Sequence, residues 1–211
     1  MKRIFLIAFF GLFLCIGQSF ADSINVSEDA YVISGSPTTT YNNTTLTTWL
    51  TSTATYTTYL KFDLSSIPSN ETITSAALNL YKYSGQGSSG TIAYYVDSDS
   101  WSETSLTWNN RPGIGASIGT NSTTGAGSTG WLTWDLTLSP QMLSDQTLSI
   151  ALNEATSGTN IHYFWSQTGQ SGSYKPYLDV QTAPVPIPGA IWLLGSGLIG
   201  IVGIRRKLKK T

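Results

Sequence analysis

Little in this sequence lends itself to bond-making chemistry. Its 211 residues include one cysteine and one histidine, and charged side chains make up 11%. Cys15 lies in the apolar run near the N-terminus, so the remaining chain has no thiol for a disulfide or a thiolate metal site and must be stable through a packed core. His162 stands apart from any serine or cysteine elbow, which leaves no nucleophile and base within reach of each other in sequence; the expectation is a strand-surface histidine. Between Asp22 and Ala183 the cations are Lys61, Lys82, Arg111 and Lys175, against twelve acids, a formal balance of −8. Phosphate binding needs a basic footprint, so a nucleic-acid partner is excluded. Helical periodicity and repeats of 20–50 residues are also missing.

What is present begins at the ends. Lys2 and Arg3 precede an apolar run from Ile4 to Ile16, and Ser19-Phe20-Ala21 supplies the small residues of a signal-peptidase site, so residues 1–21 read as a signal peptide. At the other end, the 16-residue run from Gly189 to Ile204 is followed by Arg205, Arg206 and Lys207. As a helix it spans about 24 Å, short of the roughly 30 Å hydrocarbon core, and the basic tail marks a cytoplasmic end.

Residues 22–183 suffice for one domain. "YLKFDL" alternates Leu60, Phe62 and Leu64 with Tyr59, Lys61 and Asp63; "LNLYKY" sets Leu78 and Leu80 against Tyr81 and Tyr83; "LSIAL" repeats the pattern from Leu148. Period two means half-buried strands. Further strands are expected at "DAYVI", "TLTTWL", "TIAYYV", "WLTWDL", "IHYFW" and "YLDVQ", with "SGQGSSG", "RPGIG" and "GQSGS" among the turns. About nine antiparallel strands predict an all-β, jelly-roll-like β-sandwich; "SPQMLSD" supports a single helical turn at most.

Aromatic faces and hydroxyl or amide groups are what sugar recognition requires. Trp131 and Trp134 point to opposite faces of one strand. Trp134 shares its face with Leu132 and Leu136 and is expected in the core, which turns Trp131 outward. Trp49, Tyr81 and Tyr83 are the other stacking candidates, Lys61 and Lys82 the polar ones, and with Arg111 and Lys175 these lysines are candidates for a local basic patch. Trp101 and Trp108 belong to a long loop expected to seal one edge of the core. Calcium takes hard oxygen ligands, and two sets qualify: Asp97, Asp99 and Glu103, or Glu28, Asp29 and Asp179 where the terminal strands are neighbours. Asp97, Asp99 and Glu103 are also the only carboxylates considered for glycoside hydrolysis; no independent motif gives them acid–base roles, and no enzyme is expected.

Read in order, "DAYV", "TYLKFDLSSIP", "ITSAALNLY", "DSWSETSLTWNNRP", "WLTWDLT", "LSIALN" and "KPYLDV" resemble the DNRLRE domain, equivalent to the family 96 carbohydrate-binding module. The resemblance implies a secreted β-sandwich that binds polysaccharide. Related domains carry arginines before the "YLKFD" strand and in a late Ser-Arg-Glu step, where this chain has Thr57 and Thr58, and Ser166, Gln167 and Thr168. Acidic polymers are held by cationic forks, so the composition suits a neutral or weakly charged glycan. The tail, with Val185, Pro186, Ile187 and Pro188 ahead of "WLLGSGLIGIVG" and Arg205-Arg206, is similar to a PEP-CTERM sorting signal of the VPLP type over residues 184–211. That implies a Gram-negative source, an exosortase-type processing enzyme, transient residence in the inner membrane through a hydrophobic helix, and delivery to the cell surface or matrix. The alternative function is a structural biofilm or matrix protein without a specific soluble glycan ligand.

Overall fold

The computed structural model describes residues 20–87, 90–121 and 128–185. Ten strands account for its regular structure: β1 (Phe20–Ile33), β2 (Thr45–Leu50), β3 (Thr55–Asp63), β4 (Glu71–Gln86), β5 (Thr91–Val96), β6 (Ile114–Asn121), β7 (Gly130–Leu136), β8 (Thr147–Glu154), β9 (Ile161–Trp165) and β10 (Tyr177–Pro184). Nine are those expected from alternation. The tenth, β6, reads "IGASIGTN" and has too little apolar contrast to show a period. "SPQMLSD" supplies one 3-10 turn, Pro140–Leu143.

All pairings are antiparallel, and β1 decides the topology. Its first half pairs with β10 and its second with β3, the register shifting between Val26 and Glu28. This closes β1-β10-β4-β9-β2-β3 into a ring; β8, β5 and β6 continue from β3, and β7 adds to β4. The ring walls face each other across one apolar core, the arrangement of a β-sandwich whose sheets share edge strands.

Alternation determines what fills that core. Leu60 and Phe62 on β3, Leu78 and Leu80 on β4, Leu148 and Ile150 on β8, Phe164 on β9 and Leu178 on β10 all point inward. Trp134 joins them, fully buried, its indole N–H donating to the Thr91 carbonyl at 3.0 Å. Tyr59 is buried as well, although it lies on the opposite face of β3 from Leu60. The reason is the 97–113 loop, which covers that face and makes a second apolar cluster of Ala30, Val32, Tyr59, Val96, Trp101, Leu106 and Ala151. Trp101 donates its indole N–H to Ser149 Oγ at 3.0 Å and meets Tyr59 edge to face, while Tyr59 donates its hydroxyl to the Pro112 carbonyl.

His162 departs from its expected surface position. It alternates with Tyr163 and so shares the inner face with Phe164, fully buried. Its Nδ1 lies 2.6 Å from Glu154 Oε1, which also accepts the Thr48 hydroxyl at 2.6 Å. Lys82 is buried in the same interior, where burial lowers its pKa and the Glu154 charge opposes that. These groups make an internal polar cluster centred on Glu154, which meets His162 Nδ1 and the Thr48 hydroxyl, while the buried His162 Nε2 has no hydrogen-bond partner among the described residues.

Candidate functional site

A run of aromatic side chains covers the outer face of β4, β7 and β9. Leu78, Leu80 and Lys82 turn inward on β4, so Tyr81 and Tyr83 turn outward and stay half-buried. Tyr81 is directly opposite Trp131 of β7 in the ladder, which puts both rings on one face; they meet edge to face at 5.5 Å. Trp131 is 42% exposed. On β9 the inward positions of His162 and Phe164 leave Tyr163 and Trp165 facing out. Tyr83 stacks on Trp165 with ring centroids 4.1 Å apart and planes 21° from parallel. Tyr174, from the turn before β10, packs on Tyr81 with centroids 4.1 Å apart and planes tilted by 31°, and Tyr177 meets Trp131 at 5.0 Å.

The stacked pair Tyr83/Trp165 and the tilted pair Tyr81/Tyr174 line one open depression of about 340 Å³ together with Thr129 and Gln170. Another depression, of about 320 Å³ near Leu64, Ile67, Pro140 and Leu143, has no aromatic lining. Faces for stacking, accompanied by a hydroxyl and an amide, suit a polyhydroxylated ring better than a groove that offers polar groups but no aromatic face. Burial pushes the Tyr83 hydroxyl above the usual tyrosine pKa, against a hydrogen bond with Thr45. The phenol is thus neutral, and able to donate, at physiological pH.

The remaining sequence candidates are distributed elsewhere. Trp49 meets Tyr56 at 5.3 Å with the planes tilted by 40° and donates its indole N–H to the Gly158 carbonyl; it does not line the depression. Lys61 is not a surface contact. Its ammonium pairs with Glu28 at 2.9 Å, donates to the Trp101 carbonyl and lies 4.6 Å from the Trp101 ring, so it clamps the 97–113 loop. Lys82 is interior, as described, and Arg111 stacks over Trp108 at 3.5 Å. The four cations therefore form no basic patch: three are engaged at separate structural positions, and Lys175 is on the surface beside Tyr174.

Neither carboxylate set assembles as a set, and among the described residues no three His, Cys, Asp or Glu side chains converge to hold a metal. Asp99 neighbours Ser149 and Asp145, and its pKa is raised by burial and by the Asp145 charge. Asp179 accepts from Asn79 Nδ2 at 3.2 Å. Glu28, Asp29 and Glu103 instead meet in a latch. Glu28 accepts the Glu103 backbone N–H at 2.8 Å, and Glu103 accepts that of Asp29 at 3.0 Å. Gln167 then donates its backbone N–H to Asp29 Oδ2 at 2.6 Å and its side-chain amide to Glu103 at 2.5 Å. Asp29 is 1% exposed and its Oδ1 has no partner. Burial raises its pKa to about 7, the Gln167 bond opposing and the Glu103 charge adding. This latch ties β1 and the 97–113 loop to the turn that carries Gln170 and Tyr174.

Tyr163, Trp165, Gln170, Tyr174 and Tyr177 were not among the sequence candidates. For Tyr163 and Trp165 the alternation of "IHYFW" holds the signal. Gln170 and Tyr174 lie in "GQSGSYKPY", whose composition says only that the chain turns. Of the sorting motif, Val185 is described and donates its N–H to the Asn70 carbonyl at 2.8 Å. Pro186, Ile187, Pro188, Arg205, Arg206 and residues 1–19 of the expected signal peptide lie outside the described residues. Among the described residues no helix is long and apolar enough to cross a membrane.

The sequence profile of carbohydrate-binding module family 96 matches residues 21–182. No curated protein matches the chain significantly. Among solved structures, the CBM22-1–GH10 modules of Clostridium thermocellum endo-1,4-β-D-xylanase 10B, complexed with xylohexaose, match at 11% identity and a TM-score of 0.25, over 77% of this chain and 28% of that one. At that score the likeness carries no argument about fold or ligand.

Proposed function

Since the chain belongs to carbohydrate-binding module family 96, we propose that it is an exported, non-catalytic polysaccharide-binding protein whose contact surface is the aromatic face of β4, β7 and β9. The carrying observation is that two closely packed aromatic pairs, one stacked and one tilted, line one open depression together with an amide and a hydroxyl. Rings packed in pairs are already ordered, so little side-chain entropy remains to be lost when a sugar settles on them. The proposal includes the ends: residues 1–21 direct export, and residues 184–211 act as a sorting signal read by an exosortase-type enzyme at the inner membrane before the protein reaches the cell surface or matrix. The basic-flanked apolar runs in the sequence support that part. A non-catalytic role agrees with the scattering of Asp97, Asp99 and Glu103, two of which are occupied in packing contacts.

The test is a glycan array probed with the full chain and with the double variant Tyr83→Ala/Trp165→Ala. Sugar-dependent retention by the parent and its loss in the variant, at an unchanged melting temperature, is the expected result. Retention of no glycan, together with an altered extracellular matrix when the protein is deleted, would favour a structural matrix role instead.

A further inference from the structure

Gln170 occupies an unusual place. Its side chain lines the aromatic depression yet makes no hydrogen bond within the described protein, and its backbone lies at φ 47°, followed by Ser171 at φ 53°. Two successive non-glycine residues in the left-handed region are costly, and such conformations persist where surrounding contacts over-determine them. The contacts are present. Gln167 is held by Asp29 and Glu103, Ser166 donates its N–H to the Thr44 carbonyl, and Gly169 packs so closely on Trp165 that a Cβ there would lie 2.9 Å from the ring and 2.5 Å from the Thr44 carbonyl oxygen. The same contacts that seat Trp165 thus fix the turn that projects Gln170.

We infer, building on the glycan-binding reading above, that Gln170 is the specificity-determining residue of this depression and that its ligand is an uncharged glycan. Among the described residues the six lining side chains, Tyr81, Tyr83, Thr129, Trp165, Gln170 and Tyr174, include no charge of either sign. A uronate carboxylate seated among them would leave water with no cation in the lining to meet it, the exposed Lys175 next to Tyr174 lying outside that lining, a desolvation that aromatic faces do not offset. An uncharged pyranose presents C–H faces to the rings and hydroxyl groups at its edge. Each lining hydroxyl has a single proton to give, whereas the primary amide of Gln170 presents two N–H donors and a carbonyl acceptor on one rigid plane, and so it can read two adjacent hydroxyls at once. An amide already free of internal partners and held by a rigid turn gives up nothing within the protein to do this.

Affinity electrophoresis of the full chain through gels containing mixed-linkage β-glucan, arabinoxylan, galactomannan, alginate or polygalacturonate tests this inference. The expected result is retention by at least one of the three uncharged polymers, unaffected by salt between 50 mM and 1 M, and weakened about tenfold in Gln170→Ala, the loss of one well-placed hydrogen bond. Gln170→Asn, which keeps the amide and tolerates the left-handed backbone, should remain within about threefold of the parent. A purely structural role for the turn predicts no such rescue, and melting curves of both variants accompany the gels. Retention of either uronate as strong as that of the best uncharged polymer overturns the inference, as does a Gln170→Ala protein retained like the parent; in both cases the glycan-binding reading stands. Retention of none of the five polymers overturns both.

Discussion

Asp29 is a carboxylate buried with one oxygen unpaired and another carboxylate beside it. Its folded-state pKa of about 7 lies above the ordinary value of 3.8, so between those values the folded protein holds a proton that the unfolded chain releases. The destabilisation is therefore fully present above pH 7 and disappears as the pH falls toward the unfolded value. Melting temperature should rise as the pH is lowered from 8 to 5, and Asp29→Asn should raise it at pH 8 while flattening that slope; a slope unchanged by the substitution would contradict the assignment. Gln167→Arg, restoring the residue type that the DNRLRE resemblance implies, should also stabilise at pH 8 by pairing a guanidinium with Asp29 and Glu103. At this scale the sequence was legible wherever parity alone decides: Trp134 in, Trp131 out. It was not legible where a partner decides. His162 and Lys82 look like surface residues until Glu154 is placed between them by the topology, and Lys61 looks like a ligand contact until Trp101 and Glu28 close over it.

Among the elements, β3 shows why burial outruns simple alternation. One face of the strand packs into the sandwich and the other under the 97–113 loop, so Tyr59 and Leu60 are both inaccessible. Trp101 is the centre of that second cluster. Trp101→Ala should cost about 3–5 kcal/mol of stability, measured by thermal or denaturant unfolding, and leave glycan retention intact at temperatures where the variant remains folded; a variant that melts like the parent but no longer binds would move Trp101 into the site. The same loop was recognisable in sequence as an ordered seal, because two tryptophans and a proline in seventeen residues cannot all be left in water. β6 was hidden for a different reason. Its glycines permit close packing, Gly119 lying so near β7 that a Cβ would stand 2.7 Å from the Asp135 carbonyl oxygen, and small residues carry no hydrophobic period.

For the whole molecule, the ring of strands gathers residues far apart in sequence, Tyr81, Trp131, Trp165 and Tyr174, onto one face, and no local pattern records such a gathering. The sandwich was readable because nine of the ten strands carry their own period; the depression was not, because it exists only once β4 has β7 on one edge and β9 on the other. Scattered carboxylates lead to a further expectation: chelation with EDTA should leave the melting temperature unchanged, whereas a fall of several degrees would reveal a structural cation that the described residues do not bring together. The central claim is that stacked aromatic rings on this face hold sugar. Titration calorimetry with an oligosaccharide of the polymer that best retards the protein measures it most directly, comparing the parent with Tyr83→Ala/Trp165→Ala. The account predicts saturable heat for the parent and none for the variant at equal melting temperature; equal affinity in the two proteins would contradict it.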